Sequence, residues 1–336
     1  MAEGRVRIAA VDMGSNTTRL IVADVTRDDA GNLAHEVVLR RSTITRLAEG
    51  VDARGILLPL PITRVRNALI EYRQLATEHE AVFVLATATS AVRDADNGEA
   101  FLGEVEHGFG FRATLLAGTE EAEATWAGVS SDPAMAARSA RGTGLLVDIG
   151  GGSTEVLLTD GGTIHDRHSF QLGSVRVTER FLTANDPPIA SELAAARAQV
   201  REELHARFPD PATPDLSIAV AGTATTVSAV LLDLPAYDPA RVHGFTFTAA
   251  HLESTIARFA SVDVEERAQI NGLEAARAPV ILGGLLVLAE VFAHFEIAEI
   301  VTSERDILDG IALMSGRIAL DEGMTEMPQP FGNTVC

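Results

Sequence analysis

The sequence has 336 residues, of which 46% are hydrophobic and 22% charged, a composition typical of a globular protein long enough for two domains. The formal net charge of −20 repels nucleic acid and acidic membrane surfaces, so neither is predicted as a partner. The only cysteine is Cys336, which excludes an internal disulfide and argues against a cysteine-ligated zinc site. No lysine is present, which excludes a Walker-type P-loop. Without a recognisable signal peptide or spanning segment, we expect a cytoplasmic protein.

The first predicted element is a hairpin over residues 10–22, AVDMGSNTTRLIV, in which a small-residue turn separates two apolar strands. An Asp ends the first strand, and the turn is richer in Gly, Ser and Thr than packing requires. Hydroxyl, amide and guanidinium groups at such a turn bind phosphate oxygens well. The phosphate-binding candidates in this hairpin are Ser15, Asn16, Thr17 and Arg19.

Helical spacing over 62–78 and a buried strand over 81–86 come next, followed by the stretch ATATSAVR. Thr89, Ser90 and Arg93 follow that strand where a helix would begin, which favours an anion site. The same hydroxyls are also typical helix caps, and the two roles are compatible.

A helix over 97–109 and a strand over 114–117 precede Gly118-Thr119-Glu120-Glu121. Acids just after a glycine at a helix start are often capping groups that complement the helix dipole. The alternative role is a general base, because hydrolysis of a phosphoanhydride needs a group that orients and deprotonates water. The residues alone do not choose between Glu120 and Glu121.

The composition changes over 130–144, and we predict domains over 1–129 and 130–320, with a flexible tail over 321–336. The second domain opens with LVDIGGGSTEVLL at 146–158, a repeat of the first hairpin in which Asp148 aligns with Asp12. The backbone of Gly150, Gly151 and Gly152, with the Ser153 hydroxyl, suits phosphate oxygens. Asp148 and Glu155 would repel phosphate unless a cation lies between, and Mg²⁺ is the natural choice.

Two later strand–helix junctions could also bind phosphate. Gly173-Ser174-Val175-Arg176 supplies a turn and the guanidinium of Arg176, and a helix is predicted beyond it over 191–208. A strand over 217–221 then leads into Gly222 and Thr223 at the start of another helix. Alternating strands and helices in both halves predict an α/β fold.

The chain resembles the Ppx/GppA family of exopolyphosphatases and guanosine pentaphosphate phosphohydrolases over nearly its whole length. The resemblance rests on seven segments in the family's order: VDMGSNTTRLIV, ATATSAVRDA, LLAGTEEAEATWAGV, LVDIGGGSTEVLL, FQLGSVRVTERF, AVAGTATTVSAV and EAARAPVILGGLLVL. Several ordered motifs are far more specific than one glycine-rich loop.

The resemblance implies two ribonuclease-H-like domains of the actin, Hsp70 and sugar-kinase superfold flanking a catalytic cleft, in the short two-domain form of the family. It implies that Glu121 is the general base and that Asp148 and Glu155 hold Mg²⁺ or Mn²⁺, with Asp12 beside the metal. The expected activity is metal-dependent removal of the terminal phosphate of inorganic polyphosphate, by in-line attack of water. A homodimer is expected on resemblance alone.

Three alternatives stay open at this point. The first is hydrolysis of guanosine pentaphosphate, pppGpp, which the sequence does not distinguish from polyphosphate hydrolysis. The second is a kinase-like or actin-like nucleotide-binding protein, for which the segment from Gly222 would hold adenosine. The third is a silent regulator that binds an alarmone, against which the intact set of Glu121, Asp148 and Glu155 argues.

Overall fold

The structure is a computed structural model that describes residues 4–329. The strands are β1 (Arg5–Met13), β2 (Thr17–Arg27), β3 (Leu33–Ile44), β4 (Val84–Ala88), β5 (Arg112–Leu115), β6 (Thr143–Ile149), β7 (Thr154–Asp160), β8 (Thr163–Phe170), β9 (Leu216–Val220), β10 (Thr246–Thr248) and β11 (Glu299–Thr302).

The α-helices are α1 (Val51–Arg54), α2 (Pro59–Glu78), α3 (Ser90–Arg93), α4 (Gly98–Phe109), α5 (Gly118–Ser130), α6 (Pro133–Ser139), α7 (Ser174–Phe181), α8 (Ala190–Arg207), α9 (Ala221–Leu231), α10 (Pro239–Val242), α11 (Ala249–Ala260), α12 (Val264–Arg267), α13 (Ile281–His294) and α14 (Ile307–Asp321). A short 3₁₀ helix covers Ala275–Arg277.

The chain forms two compact units. The first contains residues up to Asp132 together with residues from Arg305 onward, and the second contains Pro133–Glu304. The domain prediction is wrong for the segment 305–320, which was assigned to the second domain. That segment contains α14, whose apolar side packs into the first unit's core with residues such as Ile307, Leu308 and Ile311.

The first unit contains a five-stranded sheet in the order β3-β2-β1-β4-β5. β1, β2 and β3 are antiparallel neighbours, whereas β4 runs parallel to β1 and β5 parallel to β4. Asp12 therefore pairs with Arg19 on β2 and with Thr87 on β4. Because parallel strands place their carboxyl ends at the same edge, the β1–β2 turn and the start of α3 lie side by side.

The second unit contains a six-stranded sheet in the order β10-β11-β9-β6-β7-β8. β6 pairs with β7 antiparallel and with β9 parallel, the same arrangement that β1 makes with β2 and β4. Asp148 lies opposite Glu155 on β7 and Val220 on β9. The predicted internal repeat is thus a repeat of the sheet's central strands.

Apolar side chains fill a separate core in each unit. In the second unit α13 is buried along almost its whole length. A Cβ on Gly283 would lie 2.5 Å from the Ser174 carbonyl oxygen of α7, and one on Gly284 would lie 2.4 Å from the Thr223 hydroxyl of α9. These glycines let α13 hold the starts of α7 and α9 in place.

The predicted flexible tail over 321–336 is wrong for its first residues. Asp321 accepts a hydrogen bond from Arg27 at 2.7 Å, and Glu322 pairs with Arg112 at 2.8 Å. Met324 packs against the first unit's core. The rest of the prediction, from residue 330 onward, lies outside the described residues.

Candidate active site

The β1–β2 turn has the tight geometry that its glycine predicts. The Gly14 N–H donates to the Thr17 carbonyl at 3.1 Å, and a Cβ on Gly14 would lie 2.8 Å from that oxygen. The turn therefore closes only with glycine at this position. Ser15, Asn16 and Thr17 are all buried in it, and the Asn16 side-chain oxygen has no hydrogen-bond partner.

Asp12, at the end of β1, is buried and pairs with Arg19 across the hairpin. Arg19 donates from Nε and Nη2 to Asp12 Oδ2, at 3.1 and 2.7 Å, and from Nη1 to Asp306 Oδ2. Asp12 Oδ1 has no hydrogen-bond partner. Burial raises the pKa of the Asp12 carboxyl, Arg19 opposes this, and the Asp306 charge adds to the rise. Arg19, predicted to bind phosphate, is here held between two carboxylates.

The junction of β4 with α3 lies against the first turn. The Ser15 and Ser90 hydroxyl oxygens are 2.9 Å apart, a buried hydrogen bond that ties the two loops together. Thr89 occupies the N-cap position of α3, but its side chain makes no capping hydrogen bond. The Ser90 hydroxyl thus lies against the β1–β2 turn, and Thr89 and Ser90 lie at the start of a helix, as the sequence predicts.

Arg93, in α3, connects this junction to α5. Its Nη1 donates to the Leu116 carbonyl at 2.9 Å and to Glu121 Oε1 at 2.6 Å. A guanidinium against a buried carboxylate makes a strong, directional hydrogen bond. The first unit therefore joins Ser15, Ser90, Arg93 and Glu121 by short contacts along the edge of one sheet.

The structure separates the two glutamates that the sequence leaves unresolved. Glu120 is exposed, and its Oε2 accepts a hydrogen bond from the Ala117 N–H at 2.7 Å, which is the capping role. Glu121 is only 5% exposed and carries the ion pair to Arg93. The capping interpretation thus belongs to Glu120, and the buried acid beside the phosphate-binding candidates is Glu121.

In the second unit, Asp148 and Glu155 are cross-strand partners at the end of the β6–β7 hairpin, and both are buried. Directly opposite residues of an antiparallel pair extend to the same face of the sheet. Glu155 Oε1 accepts a hydrogen bond from the Ser169 hydroxyl on β8 at 2.7 Å, a contact that the sequence did not indicate. The hairpin therefore places two carboxylates side by side.

The glycine-rich loop after Asp148 is fixed by α7. The Ser174 N–H donates to the Gly150 carbonyl at 2.9 Å, and the Val175 N–H to the Gly151 carbonyl at 2.8 Å. The Arg176 Nε donates to the Gly152 carbonyl at 2.8 Å. In a trans peptide the following N–H points opposite to the carbonyl, so the N–H groups of Gly151, Gly152 and Ser153 point away from these donors.

Arg176 was predicted to bind phosphate. In the structure it lies on the carbonyl side of the glycine-rich loop. Its guanidinium is buried and supports the loop from the carbonyl side. Three successive N–H groups lie on the opposite side of the loop, and successive N–H groups of this kind can bind anions.

The junction of β9 with α9 is strained and crowded. Ala221 has φ of 62°, unusual for a residue with a side chain. A Cβ on Gly222 would lie 2.0 Å from Arg277 Nη1, so the glycine lets a guanidinium contact the backbone. Thr223 is buried under α13. The sequence analysis gave Arg277 no role, although the residue lies in one of the seven segments.

The donor set fits a magnesium ion. Asp148 and Glu155 offer two adjacent carboxylates, and Mg²⁺ is usually held by one or two carboxylates while water and substrate phosphates complete its shell. In the first unit, Asp12 Oδ1 is a buried carboxylate oxygen without a hydrogen-bond partner. Residues 4–329 contain no cluster of three or more His, Cys, Asp or Glu arranged around a metal position.

Each unit thus carries a buried acid-bearing hairpin whose turn is rich in Gly and Ser, repeated in two α/β units. A sequence model of the Ppx/GppA phosphatase family matches residues 22–315. The chain is 37% identical over 321 residues to Exopolyphosphatase 2 of Mycobacterium tuberculosis, covering 91% of this chain and 98% of that protein.

Solved structures agree. The crystal structure of an exopolyphosphatase-like protein has a TM-score of 0.86 at 30% identity and covers 94% of this chain and 99% of that one. The Ppx/GppA family member of Aquifex aeolicus has a TM-score of 0.75 at 28% identity, with 95% and 99% covered. The chain belongs to the Ppx/GppA phosphatase family, and the predicted α/β fold class is confirmed.

None of the helices within residues 4–329 combines the length and apolar character needed to cross a bilayer.

Proposed function

We propose that this protein is an exopolyphosphatase that hydrolyses the terminal phosphoanhydride bond of inorganic polyphosphate and releases orthophosphate. The observation that carries the proposal is the buried Glu121, paired with Arg93 beside the Ser15–Ser90 contact. A buried carboxylate next to phosphate-binding groups is suited to accept a proton from an attacking water. Likeness to Exopolyphosphatase 2 of Mycobacterium tuberculosis supports polyphosphate as the substrate class.

In this proposal Glu121 orients a water molecule for in-line attack on the terminal phosphorus and accepts its proton. Arg93 pairs with Glu121 in the structure and can donate further N–H groups to equatorial phosphate oxygens. The hydroxyls of Ser15 and Ser90, with the Asn16 amide, bind the terminal phosphate. No covalent enzyme intermediate is needed, because water itself is the nucleophile.

In the second unit, Asp148 and Glu155 would hold Mg²⁺ or Mn²⁺, which would neutralise charge on the phosphate oxygens when bound. Gly151, Gly152 and Ser153 would provide the backbone donors and Ser153 the hydroxyl donor, while the Gly150 N–H closes the turn on the Ser153 carbonyl at 3.0 Å. Ser169 fixes the Glu155 carboxylate through its hydrogen bond at 2.7 Å. Arg176 keeps the loop in shape from its carbonyl side.

The test is phosphate release from equal chain-end concentrations of tripolyphosphate, longer polyphosphates, pppGpp and ATP. We expect release from the polyphosphates to exceed that from both nucleotides. Faster release from pppGpp would replace the proposal by guanosine pentaphosphate hydrolysis, and phosphate transfer to an acceptor would indicate a kinase.

We also propose a homodimer, on the family resemblance alone. Light scattering at micromolar concentration is the test, and the mass of a monomer would refute the proposal.

A further inference from the structure

Asp306 lies at the start of α14, 287 residues from Arg19 in sequence, and is buried. Its Oδ1 accepts a hydrogen bond from the Leu308 N–H at 2.9 Å, so the side chain caps the helix. Its Oδ2 accepts from Arg19 Nη1. One carboxylate therefore performs two functions, and only the first is needed to start a helix.

Arg19 uses its other side for Asp12. Both Nε and Nη2 donate to Asp12 Oδ2, and Oδ1 is left buried without a hydrogen-bond partner. A guanidinium is planar, so a partner at Nη1 fixes the plane in which Nε and Nη2 lie. The contact with Asp306 thereby fixes the orientation in which the Arg19 guanidinium donates to Asp12.

The same end of α14 packs directly against α5, the helix that carries Glu121. A Cβ on Gly128 would lie 1.9 Å from the Asp306 carbonyl oxygen, and a Cβ on Gly310 would lie 1.9 Å from the Ala124 carbonyl oxygen. Two glycines at one crossing let the helix backbones touch. Asp306 is thus held against the helix of the proposed base while it contacts Arg19.

We infer that Asp306 is a positioning residue for the phosphohydrolase reaction. It orients the Arg19 guanidinium, which binds Asp12 through Oδ2 alone and leaves Asp12 Oδ1 without a protein hydrogen bond. Arg19 acts through Asp12 in this arrangement. The consequence for turnover rests on the proposed function, whereas the ordering of Arg19 by Asp306 does not. Asp306 occupies the N-cap position of α14, four residues beyond the end of β11.

The first experiment is a double-mutant cycle on phosphate release from tripolyphosphate. Asp306→Asn keeps the size and capping ability of the residue, since Asn is as good an N-cap as Asp, and removes its charge. We expect kcat to fall by about 10- to 100-fold, the loss typical when a residue that orients a ligating side chain is mutated. In an Arg19→Met background the same change should have almost no effect. An equal loss in both backgrounds, or no loss in either, would overturn the inference.

The second experiment needs no activity. The Arg19 Nε–H signal, assigned by its disappearance in Arg19→Lys, should exchange slowly with water in the native protein and faster in Asp306→Asn. Asp309→Asn is the matched control: it changes the same helix end, where Asp309 accepts from the Asp306 N–H, but its carboxylate pairs with His35 and Arg40. It should lower the Tm and leave Arg19 exchange unchanged.

The two experiments separate the possible failures. If the native protein releases no phosphate, the proposed function fails, and the exchange rate of Arg19 still decides whether Asp306 orders it. If phosphate is released and Arg19 exchange is the same in the native and Asp306→Asn proteins, the inference fails and the proposed function stands.

Discussion

At the scale of single residues, two adjacent glutamates have different environments although they have the same chemistry. Glu120 caps α5 from the surface, and Glu121 is buried against Arg93. Neighbouring helix positions differ by about 100° around the axis, which directs one side chain to solvent and the other inward. Position on the helix, and not residue type, therefore assigns the proposed general base.

Glu121→Gln should reduce turnover by roughly 10²–10⁴-fold, because the amide keeps the size of the side chain and cannot accept the proton. Binding of tripolyphosphate, measured by calorimetry, should change little. Glu120→Gln is the matched control and should keep near-native phosphate release, since its amide oxygen can still accept from Ala117. Loss of activity in Glu120→Gln with normal activity in Glu121→Gln would reverse the assignment.

The pair of carboxylates in the second unit gives another prediction at this scale. Activity should require Mg²⁺ or Mn²⁺ and should collapse in Asp148→Asn and Glu155→Gln, because each change removes an anionic oxygen ligand. Asp160→Asn, at the exposed end of the same strand as Glu155, is the control and should behave like the native protein. Full activity in excess EDTA would contradict the metal role of both carboxylates.

At the scale of elements, the shape of the glycine-rich loop in the second unit depends on how closely α7 approaches it. Gly173 precedes α7, and a Cβ there would lie 2.2 Å from the Gly151 carbonyl carbon and oxygen. Real side chains do not reach such distances, so any larger residue must push the loop and helix apart. The glycine at this junction therefore shapes the loop as much as the three glycines within it.

Gly173→Ala should displace the loop, with a loss of stability of about 1–3 kcal/mol and a fall in phosphate release. The control is Gly108→Ala in α4, where a Cβ would meet nothing within 4 Å. That change should stabilise the helix by roughly 0.5–1 kcal/mol and leave activity unchanged. Thermal unfolding and phosphate release of the two variants test the contrast; equal behaviour would show that α7 does not constrain the loop.

The start of α14 also gives a pH dependence. Burial alone would raise the pKa of Asp309, but the hydrogen bond from His35 and the charge of Arg40 lower it to about 2. Since the unfolded value is about 3.9, this group contributes stability above that pH, on the order of 2 kcal/mol, which is lost as the pH falls towards 2.

Asp309→Asn should therefore lower the Tm at neutral pH and flatten its decline between about pH 4 and pH 2. Thermal unfolding of the native and variant proteins across this range is the measurement. Curves that stay parallel down to pH 2 would show that the Asp309 ion pairs do not contribute in this way.

At the scale of the whole molecule, the net charge of −20 opposes any polyanionic substrate beyond its local site. Each internal phosphate of polyphosphate carries about one negative charge, and holding many of them takes a long cationic track. Arg19 and Arg176, two candidates for such a track, are engaged by carboxylates or a backbone carbonyl. Of the three arginines predicted near the phosphate-binding candidates, only Arg93 is then proposed to contact phosphate oxygens.

Short polyphosphates should therefore be hydrolysed better, per chain end, than long ones, and moderate salt should weaken binding only gently. Initial rates at equal chain-end concentration, over lengths from three to several hundred phosphates, are the test. Affinity that keeps rising over this range would reveal an extended binding track.

Local pattern was enough to predict the two acid-bearing hairpins, because an Asp at a strand end and a Gly- and Ser-rich turn specify a tight connection whatever surrounds it. The same holds for α2, α4 and α8, whose periodicity is long. β3 and β8 were not predicted, because their sequences are polar on one side and lack strong strand signals.

The sequence by itself determined the two hairpins with Gly-, Ser- and Thr-rich turns, their repetition and the family, because those depend on short runs of adjacent residues. Only the tertiary structure decided that Glu121 is the buried acid, that Arg176 donates to a carbonyl of the glycine-rich loop and that α14 belongs to the first unit. Each of these depends on contacts between residues far apart along the chain, such as Arg19 with Asp306. Such contacts follow from how helices pack on a sheet, which no local pattern records.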